Sequence, residues 1–452
     1  MLTSVKSPRN GCGLHGALQT VTEIKGIVPI VHANAGCAIQ NYLADKSSGQ
    51  VGSAVSGEEI FSTDALERHV IFGGASRLRE QIKNTIKVAE ADLYIVLNSC
   101  ESAMVGDDVE AMTRESREQG EQVIECLTAG FHGDSHYGYE AVVSDILKKI
   151  KLVKEVEKEK NDRLVNIFGV LPHKDIYFKG DLEEIKRILE GIGIKVNTFF
   201  GADGSVEDFS KASGAALNIV FSKWGREPAR FLSEEYSIPT TEWNSIPTGP
   251  EEVSEFLYEI SGKLGIDEET ARRSAQKEKD EFAYYLKGIR DSFYEEFAGR
   301  SVAVVGDEST VVKVAGYLKN YLDADIRIAV VTDYFGKAEL SAEEKAETVA
   351  GLAGEVYFTQ DSKEIQDILI HSSVDLVLGS SLDRQAVEEK GTVGLDISYP
   401  VYGKAIMNRT YSGMHGALTL TEDYLTAIRE ADSLKEKRLL EYIRQDSAKE
   451  GE

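Results

Sequence analysis

The sequence predicts an α/β protein built of three Rossmann-like domains, each a parallel sheet flanked by helices. Three observations predict it. At 452 residues the chain is too long for one core, and ordinary domain sizes divide it into about three. Its strand candidates are short, continuous apolar runs rich in β-branched residues, as strands buried on both faces require. Between them lie segments whose apolar residues recur every three or four positions, the alternation that yields parallel sheets.

The first domain is expected over residues 1–160. Its strands are Ile27-Val28-Pro29-Ile30-Val31 and Leu93-Tyr94-Ile95-Val96-Leu97, with helices from Ser76 to Ala91 and from Val109 to Gln119. Gly73-Gly74 precedes the first of these helices, but without a G-x-G-x-x-G or G-x-x-x-x-G-K-S/T frame it reads as a tight turn. Asp107 and Asp108 stand before the second, where an acid serves as N-cap more often than as a metal carboxylate. From Lys148 to Asp162 the chain is dense in Lys and Glu, which marks a domain boundary near residue 160.

A second α/β domain is expected over 161–298. Leu164 to Phe168, Ile194 to Phe200 and Ala216 to Phe221 read as strands, and Asp181 as the cap of a helix carrying Leu182, Ile185, Ile188 and Leu189 on one face. Ile246-Pro247-Thr248-Gly249-Pro250 breaks the chain before a helix from Glu251, and a long charged helix from Asp267 to Phe297 braces the neighbouring domains. The third domain, 299–452, opens on the strand Ser301 to Gly306 and continues with a helix bearing Val311, Ala315, Leu318 and Leu322. Strands from Ile326 to Val331 and Val374 to Leu378 follow. Gly306-Asp307-Glu308-Ser309 puts two acids where a pyrophosphate would sit, so a dinucleotide site there is rejected. G-K-S/T occurs nowhere, which argues against a P-loop ATPase.

Charge and cysteine usage narrow the function classes. Lys and Arg total 51 against 76 Asp and Glu, a net charge of -25, which opposes nucleic acid and anionic membranes as partners. Neither an export signal nor an apolar run of about 18 residues is present, so a soluble cytoplasmic protein is expected. Four cysteines in 452 residues make no disulfide framework.

Three of those cysteines fall where ligands collect. Cys37 follows the first strand through His32-Ala33-Asn34-Ala35-Gly36, and Cys100 follows Asn98-Ser99 after the second. Both sit in strand-to-helix turns, which in parallel sheets open on one crevice. Cys12 lies between Gly11 and Gly13, free of neighbouring bulk. A helix N-terminus lowers a thiol pKa and so favours the metal-binding thiolate. A free cysteine is also commonly a small buried hydrophobe, and scattered spacing leaves both readings open. Cys126, inside Val123-Ile124-Glu125-Cys126-Leu127, reads as a core residue.

Cys12-Gly13-Leu14-His15-Gly16-Ala17, Ile30 to Cys37, Phe72-Gly73-Gly74, and Cys100 followed by Val105-Gly106-Asp107-Asp108 stand in this order along the chain. Together they resemble the nitrogenase component 1 family, subunits of nitrogenase and related reductases. Ile246 to Glu252, Asp375 to Ser381 and Tyr411 to Ala417 agree. The resemblance implies that Cys12, Cys37 and Cys100 hold an iron-sulfur cluster between two homologous subunits, of the eight-iron P-cluster type or the four-iron type. It implies a β-type subunit, because the family's catalytic subunit holds its metal cofactor through a mid-chain cysteine and a late histidine, and no cysteine follows Cys126. His371 and His415 read as structural. The chain departs from the molybdenum form in lacking its long amino-terminal extension and in placing Gly130 where a serine is expected near the cluster. The implied role is electron relay from a separate ATP-dependent iron-sulfur reductase of the Fe protein type to a cofactor in an α-type partner, within a heterotetramer that reduces dinitrogen or another small molecule. The alternative from the same family is a non-catalytic scaffold for cofactor assembly.

Overall fold

Each strand read from the sequence pairs in parallel with its neighbours. The structure is a computed structural model and describes residues 5–45, 47–50, 60–289, 293–334, 349 and 351–449. The first unit comprises α1 (Gly13–Val21), β1 (Ile27–His32), α2 (Ala35–Asp45), β2 (Ser48–Gln50), β3 (Phe61–Ser62), α3 (Glu67–Phe72), α4 (Ala75–Val88), β4 (Leu93–Asn98), α5 (Cys100–Val105), α6 (Val109–Glu118), β5 (Val123–Cys126) and α7 (Ser135–Lys149). The second comprises β6 (Asn161–Phe168), α8 (Phe178–Glu190), β7 (Lys195–Asn197), α9 (Val206–Lys211), β8 (Ala215–Val220), α10 (Arg226–Tyr236), β9 (Thr240–Glu242), α11 (Pro250–Lys263), α12 (Glu268–Leu286) and α13 (Phe293–Glu296). The third comprises β10 (Ser301–Gly306), α14 (Glu308–Leu322), β11 (Asp325–Val331), β12 (Glu355–Phe358), α15 (Ser362–His371), β13 (Leu376–Gly379), α16 (Ser381–Glu388), β14 (Val393–Asp396), β15 (Val401–Ile406) and α17 (Gly413–Lys449).

Three sheets result, with strand orders β3-β1-β4-β5, β7-β6-β8-β9 and β12-β11-β10-β13-β14. In each, the connections leave the first strand of the unit in opposite directions, so the order reverses beside β1, β6 and β10. Those reversals are the switch points at which doubly wound sheets open a crevice beyond their carboxyl ends. β4 and β10 are buried along their whole length, which is why they read as unbroken apolar runs. One contiguous apolar cluster joins all three units, from Leu14 and Ile95 through Phe168 and Val304 to Tyr424.

Several elements differ from their sequence expectation, each for a local reason. A short helix, α5, intervenes between Ser99 and Gly106, capped by the Ser99 side chain accepting from the Ser102 N–H. Asp181 is not a cap: α8 begins at Phe178, and the fully buried Asp181 carboxylate accepts from Lys313 Nζ at 2.7 Å. The strand expected from Ile194 to Phe200 shrinks to β7, because Thr198 turns to donate to the Phe200 carbonyl at 2.9 Å. The long helix expected from Asp267 ends at Leu286, and its residues 290–292 lie outside the described region. A fourth, two-stranded parallel pairing of β2 with β15 ties the first unit to the third.

The approach of α1 to α7 places the amino-terminal cysteine. A Cβ on Gly16 would lie 1.9 Å from the Ser135 carbonyl oxygen, and one on Gly138 would lie 2.1 Å from that of Gly13. Only glycine permits backbones this close. Among the described residues, no helix is long and apolar enough to cross a membrane.

Candidate functional site

β1 and β4 are adjacent at the first switch point, with His32 paired to Asn98 at their last register position. From there the two chains diverge, into α2 carrying Cys37 and into α5, which Cys100 opens. Cys12 arrives from another direction, as the N-cap residue of α1. Cys126 ends β5 and is fully buried, and burial pushes its thiol well above the ordinary range. It therefore belongs to the core, as its alternating run predicts.

Gly130 measures how near two of the remaining sulfurs lie. A Cβ built on it would be 2.7 Å from Cys12 Cβ, 3.0 Å from Cys12 Sγ and 3.3 Å from Cys100 Sγ. Its backbone N–H donates to Cys100 Sγ at 3.1 Å. The absent side chain at this position leaves both sulfurs facing one space. Cys37 is near enough to feel the same pair: burial raises its thiol pKa, and the Cys12 and Cys100 sulfurs and the Glu101 carboxylate raise it further.

His15 joins two of the three cysteine segments. Nδ1 lies 3.3 Å from Cys12 Sγ and Nε2 lies 3.2 Å from the Cys37 carbonyl oxygen. Burial works against charge on both members of the pair, but their mutual hydrogen bond and attraction win, leaving the Cys12 thiol below and His15 above the ordinary range. Sequence reading gave His15 no role; the C-x-x-H spacing at the start of a helix was the available signal.

A second layer fixes the loops. Asp107 Oδ2 meets His32 Nε2 at 3.0 Å, and Oδ1 accepts from the Gly74 N–H at 2.7 Å. His32 Nδ1 lies 3.1 Å from Thr63 Oγ1. Asp107 thus ties the end of β1, the start of α4 and the α5–α6 junction, while Asp108 caps α6 through the Ala111 N–H. The Gly73-Gly74 turn has Gly73 at φ 88 and serves this junction. His415 and His371 lie elsewhere. His415 is in the first turn of α17 rather than in a free turn, 3.2 Å from Glu184 Oε2, and His371 ends α15.

Among the described residues, no three His, Cys, Asp or Glu side chains are arranged to hold a single metal ion. The Cys12 and Cys100 thiols beside a space kept clear by glycine, with a backbone N–H on one sulfur and Cys37 near enough for both to act on it, are a donor set of the kind an iron-sulfur cluster takes. Exposed apolar side chains stand near these cysteines in the chain, with Ile39, Met104 and Phe131 60%, 79% and 56% exposed, beside the polar Asn34 and Glu101.

Three doubly wound units, with the Cys12 and Cys100 thiols brought together beside Gly130, define a multi-unit α/β protein. The chain belongs to the nitrogenase component 1 type oxidoreductase family, whose model matches residues 12–429. It is 23% identical to a nitrogenase molybdenum-iron protein beta chain of Methanococcus maripaludis, over 94% of this chain and 95% of that one. It is 28% identical to the iron-molybdenum cofactor biosynthesis protein NifE of the same organism over 66% of this chain, and 26% identical to a molybdenum-iron protein alpha chain of Methanosarcina barkeri over 65%. In those two matches the chain spans only 60% and 54% of the relative's length. The structure solved as "Nitrogenase Cp1 at pH 6.5" shares the fold, with a TM-score of 0.79 at 18% identity over 95% of this chain and 94% of the other. The chain is accordingly beta-like or NifE-like within a family of oxidoreductase subunits.

Proposed function

We propose that the chain is the β-type, cluster-holding subunit of a nitrogenase-like component 1 oxidoreductase, with Cys12, Cys37 and Cys100 as ligands to an iron-sulfur cluster. The observation that carries this reading is the pair of sulfurs, from Cys12 and Cys100, within 3.3 Å of the single point where a Gly130 Cβ would begin. When bound, such a cluster supplies stepwise storage and release of electrons. The chain's own part is to present three thiolates from the first turn of α2, the first turn of α5 and the α1 cap, to donate one backbone hydrogen bond from Gly130, and to tie Cys12 to Cys37 through His15.

Three thiolates leave a four-iron cluster one ligand short, and an eight-iron cluster shorter still. A homologous α-type chain supplies the remainder, covers the exposed Ile39, Met104 and Phe131, and carries the active-site cofactor. Electrons come from an ATP-dependent reductase of the Fe protein type, docking in the cytoplasm. Asp307 occupies the turn after β10 as a helix cap, which supports placing nucleotide hydrolysis in that second protein.

The similarity to NifE supports a second reading, a non-catalytic scaffold for cofactor assembly. Reconstitution separates the two. The metallated complex with its α-type partner is expected to turn over only when reductase and ATP are added, with ATP hydrolysed in step with electrons delivered. If the fully metallated mixture reduces no substrate, protons included, and instead passes its cofactor to an apo-protein, the scaffold reading replaces the first.

A further inference from the structure

The segment before Cys12 is held by the third unit rather than by its own sheet. Lys6 N–H donates to Asp361 Oδ2 at 2.6 Å, Ser362 N–H to the Ser7 carbonyl at 2.8 Å, and Arg9 N–H to the Gln360 carbonyl at 3.2 Å. Asn10 Nδ2 reaches the Thr332 carbonyl at 3.4 Å and Asp134 Oδ2 at 3.3 Å. Thr332, Gln360 and Asp361 follow the carboxyl ends of β11 and β12. Residues 6–10 therefore lie across the edge of the third sheet where doubly wound units take their ligands.

Arg9 makes the firmest of these contacts. Its guanidinium meets the Asp383 carboxylate with two nitrogens on two oxygens, Nη1 to Oδ2 at 3.0 Å and Nη2 to Oδ1, and the side chains are 1% and 0% exposed. Asp383 is fixed in turn: Oδ2 accepts from the Ser380 N–H and Oγ, both at 2.8 Å, in the capping box of α16. A planar bidentate pair transmits orientation as well as charge. Three residues on, Cys12 begins α1, with the Gly13 N–H on the Gly133 carbonyl at 3.0 Å and the Ser135 N–H on the Gly11 carbonyl at 2.8 Å.

We propose that Arg9 is a positioning residue for Cys12: its buried pairing with Asp383 fastens the strap of residues 6–10 into the crevice of the third unit and so sets where the Cys12 sulfur stands relative to Cys37 and Cys100. The consequence for a cluster rests on the proposed function; the placement of the thiol does not. Cys12 thus answers to the third unit as well as to α7, whereas Cys37 and Cys100 stand in the first turns of α2 and α5 in the first unit.

The test is alkylation of the metal-free full-length chain with iodoacetamide, each cysteine followed by mass spectrometry. In Arg9→Gln, Cys12 is expected to react about tenfold faster, as a locally released segment does. Cys37 and Cys100 should stay within about twofold, and buried Cys126 should remain unreactive, reporting an intact core. Arg9→Lys, which keeps a cation against Asp383 and leaves the α16 cap intact, should bring Cys12 part of the way back toward the parent rate. An unchanged Cys12 rate in Arg9→Gln overturns the proposal. So does labelling of Cys126 together with Cys12, which would make the pair a holder of the whole fold. Because the measurement needs no metal, a failure of the cluster reading, seen as a parent chain without iron, stays distinct from a failure of this one.

Discussion

Gly130 gives its backbone N–H to Cys100 Sγ at 3.1 Å, and the same residue has no room for a side chain on the side of Cys12. A methyl group there would begin 2.7 Å from Cys12 Cβ, too close for either to stay. Gly130→Ala is therefore expected to displace Cys12, destabilise the chain by about 1–3 kcal/mol as overpacking does, and lower the iron held. Urea unfolding and iron quantification on the anaerobically purified variant check both. Full iron retention would mean that the two sulfurs do not share a ligand.

Acid sensitivity should centre on Glu184. Burial raises its pKa, but hydrogen bonds from Arg187 and His415 outweigh burial and bring it down to about 2. A depressed carboxylate stabilises the fold fully above its ordinary range and loses that contribution as pH falls toward 2. The contribution is about 3 kcal/mol, lost between about pH 5 and pH 2. His415, held above its ordinary value chiefly by the hydrogen bond to Glu184 although burial opposes it, works in the other sense, its contribution fading as pH rises through its folded pKa. Glu184→Gln should flatten the acid limb of stability against pH, followed by circular dichroism in urea. An acid limb unchanged in the variant would assign the sensitivity to other carboxylates.

Asp181 and Lys313 form a buried pair between the second and third units, 0% and 5% exposed at the side chain and 2.7 Å apart. Thr410 Oγ1 donates to Asp181 Oδ1 at 2.5 Å, and Lys313 Nζ also reaches Ser412 Oγ at 3.2 Å. Asp181→Ala leaves Lys313 buried with Asp175 and Ser412 still beside it, so it is expected to cost about 3 kcal/mol, whereas Asp181→Leu with Lys313→Met should recover part of that loss. Denaturant midpoints of the two variants decide it, and a double variant no better than the single would show that the pair does more than neutralise itself.

What the sequence made legible was whatever a residue's neighbours determine. Strand Ser301 to Gly306 is visible as an unbroken apolar run and forms over those residues. The strand ends ahead of Cys37 and Cys100 are visible because each closes such a run, although the two cysteines fall in the first turns of α2 and α5 rather than in the connecting turns, and the adjacency of β1 and β4 follows from doubly wound topology. What was not legible depends on partners far along the chain. Asp181 looked like a cap because its ion partner lies 132 residues away. Arg9 drew no attention because Asp383 is 374 residues distant. Gly130 was noticed only through a family resemblance, and its tight fit against Cys12 is a property of two segments that no local pattern links.

The central claim is that Cys12, Cys37 and Cys100 hold the cluster and Cys126 does not. It is tested most directly by iron quantification on anaerobically purified complexes in which each cysteine in turn is replaced by alanine. The expected result is a clear loss of iron for Cys12→Ala, Cys37→Ala and Cys100→Ala, with Cys126→Ala keeping the parent's iron and losing only about 1 kcal/mol of stability from its small core cavity. Iron lost from Cys126→Ala as fully as from Cys37→Ala, or iron undiminished in all three of the others, would contradict the account.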